Sequence, residues 1–377
     1  MGCGSCTAVC PQHCIQMLPD GEGFRRPEID RIKCVDCRRC EQVCPVLLDT
    51  AEQTQTTAYA AKNRNECVRT DSSSGGVFTA LAERVLGKGG CVCAARYDDG
   101  FAVVHDFAYS SSELAPFRGA KYAQSKAEHC FPKIRSLLQE GRPVLFVGTP
   151  CQVAGLSAFL GKDDPNLTLV DMICHGVPSP KVWHRYLQMR REKDARNAQI
   201  RSINLRSKVT GWSRYAYSVD LAYQDGSHYC VPQGQDPFMR GFVQNLYLRQ
   251  SCSHCSFKGG SRRSDLTLGD FWGIWEQHPD FDDNRGVSLL LVHSRKGREA
   301  WAAVMEGFDC VPVTLEDALR QNPSALRSSP AHEKREAFFA QLDKSTDTGR
   351  LIETCLSGYK KTGLLERISG WLATRRQ

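Results

Sequence analysis

The chain has 377 residues, 41% hydrophobic and 24% charged, with 19 cysteines and a formal charge of +7. That composition belongs to an ordinary folded protein, excludes a disordered chain, and contains no apolar run of the ~18 residues that a membrane span needs. The positive balance counts every cysteine as neutral, whereas an oxidised four-thiolate iron–sulfur cluster contributes about −2; no basic run is interleaved with aromatics, so the charge carries no nucleic-acid inference.

Residues 1–50 hold eight cysteines, seven of them in two runs. Cys34-x2-Cys37-x2-Cys40-x3-Cys44-Pro45 has the spacing with which bacterial ferredoxins hold 4Fe–4S clusters. Upstream, Cys3-x2-Cys6-x3-Cys10-Pro11 is the same run without its first cysteine, which would fall just before Met1. The fourth cysteine of each run serves the other cluster in two-cluster ferredoxins. Cys10 therefore joins Cys34, Cys37 and Cys40, and Cys44 joins Cys3 and Cys6. The latter set is one thiolate short. Three readings stand: a truncated or wrongly chosen start, a three-iron or labile cluster, or a fourth thiolate from Cys14, although Cys14 more naturally opens the next strand. Zinc knuckles are usually roughly 12–20 residues apart, unlike these nearly contiguous pairs. No segment resembles a signal peptide, and a chain of this length needs no disulfide framework. The cysteines point to thiolates kept for metal in a reducing, cytoplasmic compartment.

Residues 51–57 (AEQTQTT) are polar and aperiodic and read as a linker. Beyond them helix and strand signals alternate. Ser72–Gly76 precedes a helix with Phe78, Leu81, Ala82, Val85 and Leu86 on one face. Strands are predicted at 91–97 and 101–107, a helix at 126–139, a strand at 143–147, a helix at 152–160 and a strand at 167–173. A helix follows near Ser179, then antiparallel strands within 200–231, a helix at 236–248, a strand at 288–293 and a helix at 298–305. The apolar run at 287–292 reads as a buried strand.

The strand–helix–strand unit at 143–173 predicts parallel strands with a right-handed crossover. Cys151 lies just past the first strand and Cys174 just past the second, so both emerge at the carboxyl edge of one sheet, where open α/β folds place ligands. With Cys252-x2-Cys255 they make four thiolates, enough for a third 4Fe–4S cluster. Equally, Cys151 and Cys174 read as small buried core residues.

At this point the residues match a known pattern. Ser72-Ser73-Ser74-Gly75-Gly76-Val77-Phe78, Lys121-Tyr122-Ala123-Gln124-Ser125, Gly148-Thr149-Pro150-Cys151-Gln152, Cys174-His175-Gly176-Val177, Cys252-x2-Cys255 and Asp265-Leu266-Thr267-Leu268-Gly269-Asp270-Phe271-Trp272-Gly273 occur in this order. In them the chain resembles the coenzyme F420-reducing hydrogenase/dehydrogenase beta subunits. The resemblance implies an FAD-binding core with a cluster near the flavin, ligated by Cys151, Cys174, Cys252 and Cys255. It implies a flavin-binding surface of Ser73, Ser74, Gly75, Gly76, Lys121, Tyr122, Gln124, Ser125 and Thr149. A Ser-Ser-Gly-Gly turn before a helix presents backbone N–H groups suited to a phosphate or a flavin carbonyl, or serves as a plain helix cap. Lys121 near a flavin would stabilise its reduced anion. There is no Rossmann Gly-x-Gly-x-x-Gly and no Walker loop.

The expected fold is an α+β ferredoxin-like module with two 4Fe–4S clusters (1–50), a linker (51–57), and a mixed-sheet α/β domain binding flavin and a cluster. The domain's N-terminal part is 58–130 and its C-terminal part 131–340; a helical tail follows at 341–377. His175 reads either as a proton or hydrogen-bond donor, hence a catalytic candidate, or as a structural histidine. Asp270 reads as a turn cap, and Trp212, Trp272 and Trp275 as core rather than cofactor stackers. Leu364, Leu365, Ile368, Trp371 and Leu372 share one helical face flanked by basic residues, which reads as resting on a membrane or a partner or, more commonly for amphipathic helices, as docking on the protein itself. The expected function is an iron–sulfur flavoprotein oxidoreductase. It would pass electrons between a ferredoxin or another redox protein and a small hydride acceptor, either an F420-type deazaflavin or a glycan- or pigment-pathway metabolite. The alternatives are a non-catalytic electron-transfer subunit and a zinc-stabilised scaffold.

Overall fold

The computed structural model describes residues 1–48, 55–194, 198–213, 216–259 and 262–357. Its strands are β1 (Ile15–Pro19), β2 (Arg25–Ile29), β3 (Thr57–Asn63), β4 (Cys91–Tyr97), β5 (Val103–Ala108), β6 (Val144–Gly148), β7 (Leu167–Met172), β8 (Ile200–Ser207), β9 (Ser218–Tyr223), β10 (His228–Pro232), β11 (Leu266–Asp270), β12 (Ser288–Val292) and β13 (Phe308–Val313). They fall into two compact units: Met1–His184 with Leu248–Ala331, and Arg185–Tyr247 with His332–Gln377.

The first unit is built on an eight-stranded mixed sheet in the order β13-β3-β12-β11-β7-β6-β4-β5. Its centre is parallel (β11, β7, β6, β4) and its flanks are antiparallel. The continuous apolar runs of β6 and β12 explain their position, because a strand covered on both faces has no polar side to show. Alternation sorts the rest. Val92, Ala94, Leu145 and Val170 pack with the helix Val77–Leu86. Cys91, Cys93, Val144, Phe146, Leu167 and Leu169 pack with the helices Cys130–Gln139 and Pro150–Leu160. The mixed α/β sheet is the architecture expected.

Residues 1–48 of this unit form the cysteine-rich module: a short helix (Ser5–Val9), the β1–β2 hairpin and a turn of helix at Arg39–Gln42. The Asp20 carboxylate closes the hairpin turn, accepting from the backbone N–H of Glu22 (3.0 Å) and Phe24 (2.9 Å). The Gln124 side chain then holds the Arg25 backbone on both sides: it accepts from the Arg25 N–H (2.8 Å) and donates to the Arg25 carbonyl (3.1 Å).

The second unit carries the antiparallel sheet β10-β9-β8 and the helices Pro237–Val243, Arg335–Leu342 and Thr348–Leu356. Asp236 caps the first of these, accepting from the Met239 N–H at 2.7 Å, while the Tyr186 hydroxyl donates to its other oxygen at 2.7 Å. Trp212 is fully buried in this unit.

Three element boundaries differ from expectation. The helix foreseen from 126 starts at Cys130, because Lys126 instead pairs with β5, accepting from the His105 N–H (2.8 Å). The helix foreseen to 248 stops at Val243, short of Asn245, which adopts φ 64°. The helix foreseen at 298–305 spans Arg295–Ala302, started by the Ser294 hydroxyl, which accepts from the Gly297 N–H at 2.9 Å. The motif at 265–273 contains a strand, β11, that the sequence reading did not foresee. Most of the proposed linker and the amphipathic segment Leu364–Leu372 lie outside the described residues. No helix among the described residues is long and apolar enough to cross a membrane.

Candidate metal centre

Strands β6 and β7 are parallel, with Gly148 opposite Asp171. The chain leaves both at the same sheet edge. After β6, Thr149 takes the N-cap position and Pro150 opens the helix Pro150–Leu160, which sets Cys151 in the first turn. Proline suits that position because its missing N–H would have no intrahelical partner. Cys174 comes two residues after β7. A bridge between Pro178 and Leu248, and a bond from the Arg249 N–H to the Val177 carbonyl (2.9 Å), lay a distant stretch alongside. The 3₁₀ turn Gln250–His254 follows at once and carries Cys252, with Cys255 just beyond it.

Cys151, Cys174, Cys252 and Cys255 line one cavity. Burial pushes the Cys151 and Cys174 thiols up to about 12; Cys252 and Cys255 add to both shifts, Cys3 adds to that of Cys151, and Cys151 adds to that of Cys174. Two cations oppose this. The Lys258 ammonium, which donates to the carbonyls of Cys174 and Ser324 (2.6 Å to the latter), favours the Cys174 thiolate. Arg249 lies beside Cys252 and favours its thiolate; its guanidinium donates to the Arg25 carbonyl at 2.6 Å. The Ser251 hydroxyl lines the same cavity, buried and without a partner among the described residues.

The donor set tests what this cavity fits. Among the described residues, no three His, Cys, Asp or Glu side chains form a group suited to a single metal ion. A 4Fe–4S cubane carries its four irons at separate corners, so four thiols spread around a cavity, with cations to balance their charge, suit it better.

In the N-terminal module, burial and the nearby Cys3 and Cys44 push the Cys6 thiol up to about 11, so these three cysteines lie together. Cys10 and Cys14 approach to 3.4 Å between sulfurs, and Cys6, Cys34 and Cys40 pack around them. Cys37 is exposed. Cys14 thus lies beside Cys10 and Cys34, with Cys6 of the Cys3–Cys6–Cys44 set also packed against the pair. Met1 and Gly2 line the cavity of the second cysteine set.

The residues named for a flavin fall in separate places. Gln124, Ser125 and Thr149 line the thiol cavity, although the Gln124 amide is occupied by Arg25. Ser74 donates to the Val287 carbonyl (2.9 Å) and the Gly75 N–H to the Ser288 hydroxyl (2.8 Å), which anchors the Ser73–Gly76 turn on β12. A side chain at Gly75 would strike the Ala61 carbonyl. The Lys121 ammonium donates to the carbonyls of Arg118 (2.6 Å) and Gly119 (3.2 Å), and burial lowers it to about 7. Tyr122 lies near the partly buried Tyr97. His175 lines the cavity, its Nδ1 3.4 Å from the hydroxyls of Ser324 and Ser329. Asp270 ends β11, and Trp272 and Trp275 are not among the cavity's lining residues. Arg249, Ser251 and Lys258 also line the cavity but had no sequence signal, since none belongs to a quoted motif; Gln152 lies in the Gly148–Gln152 motif without having been assigned a role.

Comparison with known proteins places this geometry. Residues 1–47 match a 4Fe–4S dicluster domain. Residues 58–129 and 141–311 match the N-terminal and C-terminal parts of the coenzyme F420 hydrogenase/dehydrogenase beta subunit. Among solved structures, a chain of the xenon-derivatised F420-reducing [NiFe] hydrogenase complex from Methanosarcina barkeri aligns at 16% identity with a TM-score of 0.49, covering 78% of this chain and 95% of that one. No curated protein gives a significant match. The chain carries a ferredoxin-type iron–sulfur module and belongs to the coenzyme F420 hydrogenase/dehydrogenase beta subunit family of redox proteins.

Proposed function

We propose that the chain is an iron–sulfur flavoprotein oxidoreductase that exchanges electrons between a ferredoxin-like protein and a small hydride-accepting molecule. The observation that carries this reading is the group of four thiols, Cys151, Cys174, Cys252 and Cys255, around one cavity, with Met1 and Gly2 of the N-terminal module on its wall. These cysteines would hold a 4Fe–4S cluster. Cys10, Cys34, Cys37 and Cys40 would hold a second, and Cys3, Cys6 and Cys44 a third. Clusters supply one-electron transfer and a bound FAD would couple it to two-electron chemistry. For the flavin, family membership and the partly buried Lys121 support a site along Ser73–Gly76, Lys121–Ser125 and Thr149. The residues' own contribution is to hold the thiolates apart, balance them with Arg249 and Lys258, and offer His175 as a proton donor.

The test is anaerobic purification with iron, sulfide and flavin analysis, followed by reduction with a ferredoxin donor. Cys151→Ala should remove about four irons per chain and stop flavin reduction. Unchanged iron and turnover would refute the ligand assignment. Clusters without small-molecule turnover would instead identify an electron-relay subunit.

A further inference from the structure

A buried hydrogen-bond chain runs from His105 to the sulfur of Cys151. His105 Nε2 lies 3.0 Å from the Val147 carbonyl, which accepts only, so Nε2 carries the proton. His105 is buried, which lowers it to about 4, and the ring is therefore neutral. Its Nδ1 is then an acceptor, and it takes the Ser125 hydroxyl proton at 2.9 Å. With that proton committed, the Ser125 oxygen accepts from the Gln152 Nε2–H at 2.8 Å. This orients the amide: Gln152 Oε1 faces Thr149 and accepts its backbone N–H (3.0 Å) and its hydroxyl (3.0 Å). The Thr149 oxygen lies 3.2 Å from Cys151 Sγ. Ser125, Gln152 and His105 are all at least nine-tenths buried.

Every proton in this chain is fixed except one. As a free thiol, Cys151 donates to the Thr149 oxygen. As a metal-bound thiolate it has no proton to give. The Thr149 hydroxyl then chooses between a neutral amide oxygen and an anionic sulfur, and the charge-assisted bond is the stronger. Gln152 Oε1 keeps the Thr149 N–H either way. We infer that Thr149, whose hydroxyl proton the His105–Ser125–Gln152 relay leaves to choose between Gln152 Oε1 and the Cys151 sulfur, is the hydrogen-bond donor to that sulfur in the iron-loaded protein and raises the reduction potential of the cluster there. The direction follows because a donor to ligand sulfur favours the more negative, reduced state. The inference rests on Cys151 being a cluster ligand.

The experiment is a redox titration of the purified, iron-loaded full chain, followed by electron paramagnetic resonance, with iron counted in each sample. Thr149→Val should lower the midpoint potential of one cluster at full iron content, and Thr149→Ser should restore it. Gln152→Leu removes the hydroxyl's competing acceptor and should not lower the potential, a contrast that a merely structural role would not produce. If Thr149→Val leaves the potential unchanged, or if both variants lower it equally, the inference is overturned. Cys151→Ala separates the two levels. Retained iron there removes the ligand assignment itself, whereas lost iron with an unmoved Thr149→Val potential removes only the role of Thr149.

Discussion

Cys3 lies directly against Gly155. A Cβ built on that glycine would stand 2.8 Å from the Cys3 Cβ, 3.0 Å from its sulfur and 2.6 Å from the Ser5 hydroxyl. Gly155 is one turn after Cys151 on the helix Pro150–Leu160, and residues four apart share a helix face. The absent side chain is what lets the N-terminal module seat its cysteine beside the face that carries Cys151.

Gly155→Val should therefore unseat the module. Overpacking a tight contact costs about 1–3 kcal/mol, so the urea midpoint should fall accordingly. Iron should be lost from the N-terminal sites before the Cys151 site. An unchanged midpoint with full iron would show that the helices part without cost.

Lys258 is placed to stabilise added negative charge beside Cys174. Lys258→Met should lower the potential of the cluster proposed at that cavity, while Lys258→Arg should keep most of it. A redox titration of the three proteins checks this; equal potentials would mean that solvent screens the ammonium.

Asp171 and Arg262 form a buried ion pair at 3.1 Å. Burial raises the Asp171 carboxyl, and the Arg262 guanidinium opposes that shift. Arg262→Met strands a buried carboxylate and should destabilise the protein by about 3–5 kcal/mol. The double variant with Asp171→Asn should recover much of the loss. Denaturant unfolding of the single and double variants measures the difference.

His105 and His293 are both lowered to about 4, chiefly by burial. Their folded values lie below the unfolded value of about 6.5, so the unfolded chain binds protons first as pH falls. Stability is full above about 6.5 and declines down to about 4, by up to about 3 kcal/mol for each ring. His293→Asn should flatten that decline in unfolding free energy measured between pH 7 and 4.5. A curve as steep as that of the unaltered protein would place the proton uptake elsewhere.

The sequence made the sheet edge legible because β6, the helix after it and β7 follow one another, and consecutive parallel strands leave at the same edge. That alone brought Cys151 and Cys174 together. Cys252 and Cys255 arrive from over 70 residues away through the Pro178–Leu248 bridge, which no local pattern announces. The cysteine runs of the module were legible because ligand spacing is local. The clamp of Gln124 on Arg25 was not, since it joins residues 99 apart. The same clamp shows how a motif glutamine named for a flavin spends its amide on the protein itself. The helix expected from 126 failed at its start for a related reason: Lys126 serves as an extra rung on β5, and pairing outweighed helix propensity there.

The central claim is that sulfur atoms here surround inorganic iron. The direct measurement is electron paramagnetic resonance on anaerobically isolated protein before and after dithionite, with iron, sulfide and zinc counted on the same sample. The account predicts a brown protein with matched iron and sulfide and a paramagnetic signal that appears on reduction. A colourless protein rich in zinc and silent after dithionite would contradict it.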